Sequence, residues 1–113
     1  MELEWKAPME IDDGSHVGEI TRIVHRGPPE IKYDYLDIWI RLDGSEVEVK
    51  YGIPTNLSPK TKLGKLLISL GEPYVVGKKI NPEELLVGKK VRFMTVKVGD
   101  FSEIVHDSIK LYL

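Results

Sequence analysis

Large aliphatic residues recur at every second position along residues 36–42, and this pattern restricts the fold more than any other feature of the chain. Successive side chains of a β-strand point to opposite faces, so a period of two predicts a strand over residues 33–42 with one buried face. The residues expected in the core are Leu36, Ile38, Ile40 and Leu42, and those expected on the surface are Tyr35, Asp37, Trp39 and Arg41.

A second alternating segment follows directly, with Val47, Val49 and Tyr51 separated by polar residues. The intervening dipeptide Asp43-Gly44 favours a two-residue hairpin turn. The two segments are therefore predicted to pair as antiparallel neighbours in a sheet.

A helix is predicted after this hairpin, over residues 59–70. Ser58 is a suitable N-cap with Pro59 at the first helical position, and Gly71 is a suitable C-cap. Four leucines fall on one face of this helix at helical spacing, which predicts that this face is buried. These leucines are Leu63, Leu66, Leu67 and Leu70.

The remaining segments complete an order of three strands, a helix and two strands. Residues 15–25 are rich in β-branched side chains and predict a first strand that bends at Gly18. The other predictions are a proline-containing loop over 26–32, a short helical turn over 81–86, and two last strands over 88–98 and 103–113, separated by a Gly99-Asp100 turn.

With 113 residues, the chain has room for one domain, which we place at residues 15–113 behind an extended arm at residues 1–14. The chain has neither an apolar run of about 20 residues nor a signal-peptide pattern, so we expect a cytoplasmic protein that does not enter a membrane. Cysteine and glutamine are absent and only two residues are asparagine, a composition typical of thermophilic proteins.

The predicted order of elements is that of the OB-fold, a five-stranded Greek-key barrel. The stretch Tyr51-Gly-Ile-Pro-Thr-Asn-Leu-Ser-Pro-Lys-Thr-Lys-Leu-Gly-Lys-Leu-Leu67, with Leu85-Leu-Val-Gly-Lys-Lys-Val-Arg-Phe93 after it, resembles small OB-fold proteins of phages and prokaryotes related to single-strand-binding proteins. This resemblance implies a protein that coats single-stranded DNA during replication or repair.

The residue types that carry catalysis form no recognisable motif. His16, His25 and His106 lack the spacing of a helical metal site, and no cysteine is present to complete a zinc site. The segment Gly71–Lys79 imitates a phosphate-binding loop, but five residues separate its glycines where four are required. We therefore expect a protein without enzymatic activity, metal or cofactor.

Charge is distributed unevenly along the chain. Residues 1–49 carry five Lys or Arg against twelve Asp or Glu, whereas residues 50–97 carry ten against three. The basic segment can create a local positive field in a chain whose net charge is −2, although a solvated lysine-rich surface would look the same. The residues expected to contact phosphate in this segment are Lys60, Lys62, Lys65, Lys78, Lys79, Lys89, Lys90 and Arg92.

The polar face of the alternating strand adds candidates for contacts with bases. In OB-folds the second and third strands carry the oligonucleotide, with bases stacked on aromatic side chains. Tyr35, Trp39 and Arg41 are suited to this role, with Lys50 beside them on the next strand, although acidic residues share both faces. A different explanation for an outward Trp39 is that the N-terminal arm or a partner subunit covers it.

Three hypotheses for function remain open at this point. The first is a non-catalytic protein that binds single-stranded DNA. The second is a protein-interaction module that contacts a protein partner or a second copy through its exposed aromatic residues, with Trp39 as the anchor. The third is a small RNA-binding protein, since the sequence does not distinguish RNA from DNA.

Overall fold

The structure, a computed structural model that describes residues 1–5 and 11–112, consists of antiparallel β-sheet and two short helices. The predicted class, mostly β with little helix, is therefore confirmed. The elements are β1 (Gly14–Arg26), β2 (Tyr35–Leu42), β3 (Glu48–Pro54), α1 (Lys62–Ser69), α2 (Pro82–Leu86), β4 (Lys90–Val98), β5 (Phe101–Ile104) and β6 (Lys110–Leu111).

The strands form one sheet in the order β3-β2-β1-β4-β5, and β6 pairs with β4. The two end strands, β3 and β5, lie next to each other. Within the described residues, however, no ladder of hydrogen bonds joins them, so the sheet is not closed into the predicted barrel. Instead, the Tyr51 hydroxyl on β3 is hydrogen-bonded across this gap to His106 Nδ1, at 2.9 Å.

Strand β1 is long enough to pair with β4 through its first half and with β2 through most of its length. A register shift between Ile20 and Arg22 marks a β-bulge, so the irregularity extends beyond the predicted bend at Gly18. Gly18 is needed for a close approach, because a Cβ there would lie 2.5 Å from the Arg41 carbonyl oxygen and 2.8 Å from Ile40 Cγ2.

Gly18→Ala is therefore expected to destabilise the protein by about 1–3 kcal/mol, the usual cost of forcing extra volume into a packed site. Gly18 is not among the glycines with positive φ, so the effect reports packing and not backbone conformation. Urea unfolding monitored by circular dichroism measures the loss, with Ser15→Ala on the same strand as the matched control. Equal stability of the two variants would show that β1 can move away from β2.

Apolar side chains from both helices and all six described strands meet in one core, with Leu111 of β6 partly buried at its border. Leu36, Ile38 and Ile40 are buried as the alternation predicts, and the four leucines of α1 are buried with them. The buried apolar residues are Ile20, Ile23, Leu36, Ile38, Ile40, Val49, Ile53, Leu63, Leu66, Leu67, Leu70, Leu86, Val91, Phe93, Ile104 and Ile109.

Helix α1 begins three residues later than predicted, and Thr61 is its N-cap instead of Ser58. The Thr61 hydroxyl accepts from the Gly64 amide at 3.2 Å and donates to the Ser58 carbonyl oxygen at 2.9 Å. Residues 58–60 form a turn that leads into the helix. At the other end the C-cap is Leu70 and not the predicted Gly71, so the helix ends one residue earlier than predicted. Gly71 follows it with φ +90° and donates to the Ile68 carbonyl oxygen.

Two further predictions need correction. The hairpin between β2 and β3 has a loop of four residues instead of two, because the Leu42 amide pairs with the Val47 carbonyl oxygen. The last predicted strand, over residues 103–113, is divided into β5 and β6 by a turn that contains Asp107, whose φ is +63°. Leu113 lies outside the described residues.

The predicted N-terminal arm is described only in part, since residues 6–10 lie outside the described residues. Residues 1–5 belong to neither a strand nor a helix. Closer to β1, the Ser102 hydroxyl donates to the Ile11 carbonyl oxygen at 3.2 Å, and the Thr95 hydroxyl donates to the Asp12 carbonyl oxygen at 2.9 Å. These bonds fix the end of the arm against β4 and β5.

Candidate nucleic-acid interface

The strand register defines which polar side chains share the surface of β1, β2 and β3 that faces away from the core. Directly opposed residues in antiparallel strands point to the same side, so each row of partners lies together. We call this surface the outer face. Its rows are Glu19–Arg41–Glu48, Arg22–Trp39–Lys50, Val24–Asp37–Gly52 and Arg26–Tyr35–Pro54.

Trp39 points to the outer face as predicted, but its ring is only half-exposed. The Arg22 guanidinium lies over the indole, with its Cζ 4.3 Å from the ring centroid, and Lys50 Nζ lies 6.0 Å from it. Arg22 reaches this position because the β-bulge after Ile20 sets it opposite Trp39 in the register. Trp39 is therefore partly exposed on the predicted face, and the side chain that covers part of its ring is Arg22.

Asp37 also departs from the prediction, because it shares the outer face but is only 4% exposed. Arg26 forms a two-point ion pair with it: Nη2 donates to Oδ1 at 3.0 Å, and Nε lies 2.5 Å from Oδ2. The opposing residue on β3 is Gly52, where a Cβ would lie 3.1 Å from the carboxylate. Asp37 is thus neutralised and covered, so its charge does not face a ligand on this surface.

Three other acidic residues of this region are paired as well, whereas Glu46 in the loop between β2 and β3 is exposed and forms none of the ion pairs found among the described residues. Glu48 lies 3.5 Å from Arg22 Nε, Glu19 lies 4.0 Å from Arg41, and Asp43 lies 2.6 Å from Lys90 Nζ. Exposed ion pairs of this kind contribute only about 0–1 kcal/mol, so a phosphate can replace the carboxylate at small cost. The acidic residues therefore oppose phosphate less than their number in the sequence suggests.

A shallow cleft continues the outer face at its Tyr35 end, in the loop between β1 and β2. We call it the tyrosine cleft; its lining residues are Pro28, Lys32, Tyr33, Asp34, Tyr35, Pro54, Thr55 and Asn56. Lys32 Nζ lies 5.3 Å from the Tyr33 ring centroid, and Tyr33 is 61% exposed. Of its lining residues, only Tyr35 was predicted as a site residue, and Tyr33 lies before β2 although the predicted strand included it. The adjacent Lys32 and Tyr33 were a sequence signal for this cleft.

Lys62 and Lys65 lie away from the outer face, on the exposed side of α1. They line a groove of about 220 Å³ together with Lys110, which the sequence analysis did not select. This lysine groove runs beside the gap between β3 and β5, where Tyr51 forms part of its wall. Burial, and then the Asp107 carboxylate, raise the pKa of the Tyr51 phenol above its usual value, so the phenol is neutral near pH 7.

Four of the predicted lysines, Lys60, Lys78, Lys79 and Lys89, lie neither on the outer face nor in the lysine groove. Lys89 is half-buried, lies 3.5 Å from the Glu72 carboxylate and donates to the Leu70 carbonyl oxygen at the end of α1, so its role is structural. Lys60 lies in the turn before α1, and Lys78 and Lys79 lie in the exposed segment that precedes α2. Of the twelve predicted residues, Tyr35, Trp39, Arg41 and Lys50 lie on the outer face, and Lys90 and Arg92 continue it on β4 opposite Glu19 and Val17.

No protein-family model matches this chain, and no curated protein matches it in sequence. Among the described residues, no group of three His, Asp or Glu side chains is arranged to hold a metal ion. Neither described helix has the length and apolar character required to cross a membrane. The function must therefore be argued from the outer face and the surfaces beside it.

Proposed function

We propose that this chain is an OB-fold domain that binds single-stranded nucleic acid across its outer face. The proposal is supported by the order of the elements, since three strands precede the two helices and the others follow them, as in a five-stranded Greek-key barrel with a helical insertion after its third strand. OB-fold barrels are often partly open, which agrees with the gap between β3 and β5. Their second and third strands carry the ligand, and here these strands contribute Tyr35, Trp39, Arg41 and Lys50.

The observation that carries the proposal is the cation–π contact between Arg22 and Trp39, in which Cζ lies 4.3 Å from the centroid of the indole. A guanidinium plane and an indole ring both accept an unstacked base, and such contacts do not require a particular base. A base that stacks on the Arg22 guanidinium would cover the outer side of this group, whose other side contacts the indole. Lys50, which lies beside the same ring, would then be free to bind a phosphate. The outer face thus combines a stacking platform with cations, the two requirements of single-strand binding.

The surroundings of this pair suggest the course of the strand. Towards one end, the tyrosine cleft offers the rings of Tyr33 and Tyr35 and the neutral polar side chains of Thr55 and Asn56 for another base. Towards β4, Arg92 extends the positive surface, and Lys110 is its direct cross-strand neighbour. Two like charges directly opposite each other are unfavourable in the free sheet, and a bound phosphate would relieve this repulsion.

Single-strand affinity is expected to fall as salt rises, because bound phosphates release counterions. Each phosphate contact contributes about −0.7 to the slope of log K against log salt, so two to four contacts predict a slope of about −1.4 to −2.8. Fluorescence anisotropy of labelled oligonucleotides, DNA and RNA in parallel, measures this slope and shows which nucleic acid is preferred.

Lys50→Ala should make the slope of log K against log salt less steep by about 0.7, the contribution of one phosphate contact. Lys97→Ala is the matched control, because Lys97 is exposed near the β4–β5 turn and lies away from the outer face. Equal slopes for the two variants would show that Lys50 does not contact a phosphate of the bound strand. Absence of binding to any single strand at low salt would reject the proposal in favour of a protein-interaction module.

A further inference from the structure

The segment between α1 and α2 leaves an unusual amount of apolar surface in contact with solvent. Tyr74 is 60% exposed, Val75 is 52% exposed and Val76 is 80% exposed. Together with Leu57 and Ile68 they border a cleft of about 240 Å³, which we call the apolar cleft. A contiguous apolar patch on a folded chain is typical of an interaction site.

The border of the apolar cleft is positively charged. Lys78 lines it and Lys79 follows directly, and neither forms an ion pair within the described part of the chain. The acidic residue of the cleft, Glu72, is already paired with Lys89 at 3.5 Å. The cleft therefore suits an occupant that combines apolar side chains with carboxylates.

The first five residues of the chain, Met1-Glu2-Leu3-Glu4-Trp5, have this combination. Apolar and acidic residues alternate along them, so an extended backbone places Leu3 and Trp5 on one side and both carboxylates on the other. Leu3 is 84% exposed and Trp5 is 99% exposed, so neither is packed against its own chain.

We propose that Leu3 and Trp5 of one copy of this chain bind in the apolar cleft of a second copy, with Glu2 and Glu4 directed towards Lys78 and Lys79. The volume of the cleft is below the 300–1,000 Å³ typical of small-molecule sites and is suited to a bulky side chain. Each chain has one such segment and one such cleft, so a reciprocal exchange closes a two-fold symmetric dimer. The outer face, with Trp39, is not part of this contact.

Sedimentation velocity of the full chain without nucleic acid, over a range of concentrations, tests the dimer directly. The expected result is reversible dimerisation that Trp5→Ala weakens about tenfold or more, since a buried Trp is a common interface anchor. The Trp39→Phe protein contains Trp5 as its single tryptophan, and its emission should shift to the blue as concentration rises. If the Trp5 emission is already blue-shifted at the lowest concentration and does not change as concentration rises, Trp5 lies in the cleft of its own chain and the proposal is overturned.

Charge reversal tests the orientation of the contact. The double variant Lys78→Glu with Lys79→Glu should dimerise more weakly than the parent, and combining it with Glu2→Lys and Glu4→Lys should restore association. The double variant Lys60→Glu with Lys97→Glu, at two exposed positions that do not line the cleft, is the control for the same change in net charge. A protein that stays monomeric at all concentrations, or a dimer that these variants leave unchanged, contradicts the proposal without affecting the nucleic-acid hypothesis.

Discussion

Leu66→Asp is expected to abolish cooperative folding at moderate temperature. Leu66 is 5% exposed and lies on the face of α1 that packs into the core. The substitution removes buried apolar surface and leaves a carboxylate there without a partner, which costs several kcal/mol. Domains of this size have a total stability of about 5–15 kcal/mol, so the loss is a large part of it. Thermal melting followed by far-UV circular dichroism measures the effect.

Ile68→Asp is the matched control, because it introduces the same carboxylate two residues further along the same helix. Ile68 is 45% exposed, so its substitute can remain hydrated, and the melting temperature should fall far less. If the two variants melt alike, the buried face of α1 is assigned incorrectly.

The elements that the sequence predicts well are those whose pattern is local. The alternation in β2 and the leucine spacing in α1 each depend on one segment and on one buried face. The four leucines of α1 and three of the four aliphatic residues of β2 are buried as expected, whereas Leu42 at the end of β2 is only partly buried. Capping also depends on nearby residues, which explains why α1 ends within one residue of the predicted C-cap and why the predicted helical turn over 81–86 is found as α2, with Asn81 as its N-cap. The predicted start of α1 was wrong because Ser58 and Thr61 are both suitable caps, and it is the Thr61 hydroxyl that accepts from the Gly64 amide.

The surroundings of the outer face could not be predicted in the same way. The cover over Trp39 depends on a β-bulge that brings Arg22 into register, and the burial of Asp37 depends on Arg26 from a different strand. The lysine groove joins Lys62 to Lys110, residues far apart in the chain. The alternation along a strand predicts to which face a side chain points. How exposed that side chain is depends on neighbours from other segments, which the alternation does not reveal.

Trp39→Ala is expected to weaken single-strand binding by about 1–3 kcal/mol, or about 5–150-fold, the effect of losing one base-stacking contact. The Arg22 guanidinium lies against the indole, so the substitution removes both the aromatic ring and the contact that positions Arg22 on the outer face. Trp39→Phe should retain part of the affinity, because a smaller ring still supports stacking. Phe101→Ala, at a 76% exposed position beyond the outer face, is the control for loss of an aromatic side chain.

The same variants separate a binding role for Trp39 from a structural one. The contact between Arg22 and the indole is partly exposed, and such cation–π pairs contribute only about 0.5–1 kcal/mol, so Trp39→Ala should lower the melting temperature only slightly. In a Trp5→Phe protein, oligonucleotide should quench the fluorescence of Trp39, the remaining tryptophan. A collapse of thermal stability together with unchanged affinity per folded molecule would make Trp39 a structural residue. The proposal of single-strand binding is argued mainly from the contact between Arg22 and Trp39, so a purely structural Trp39 would contradict it.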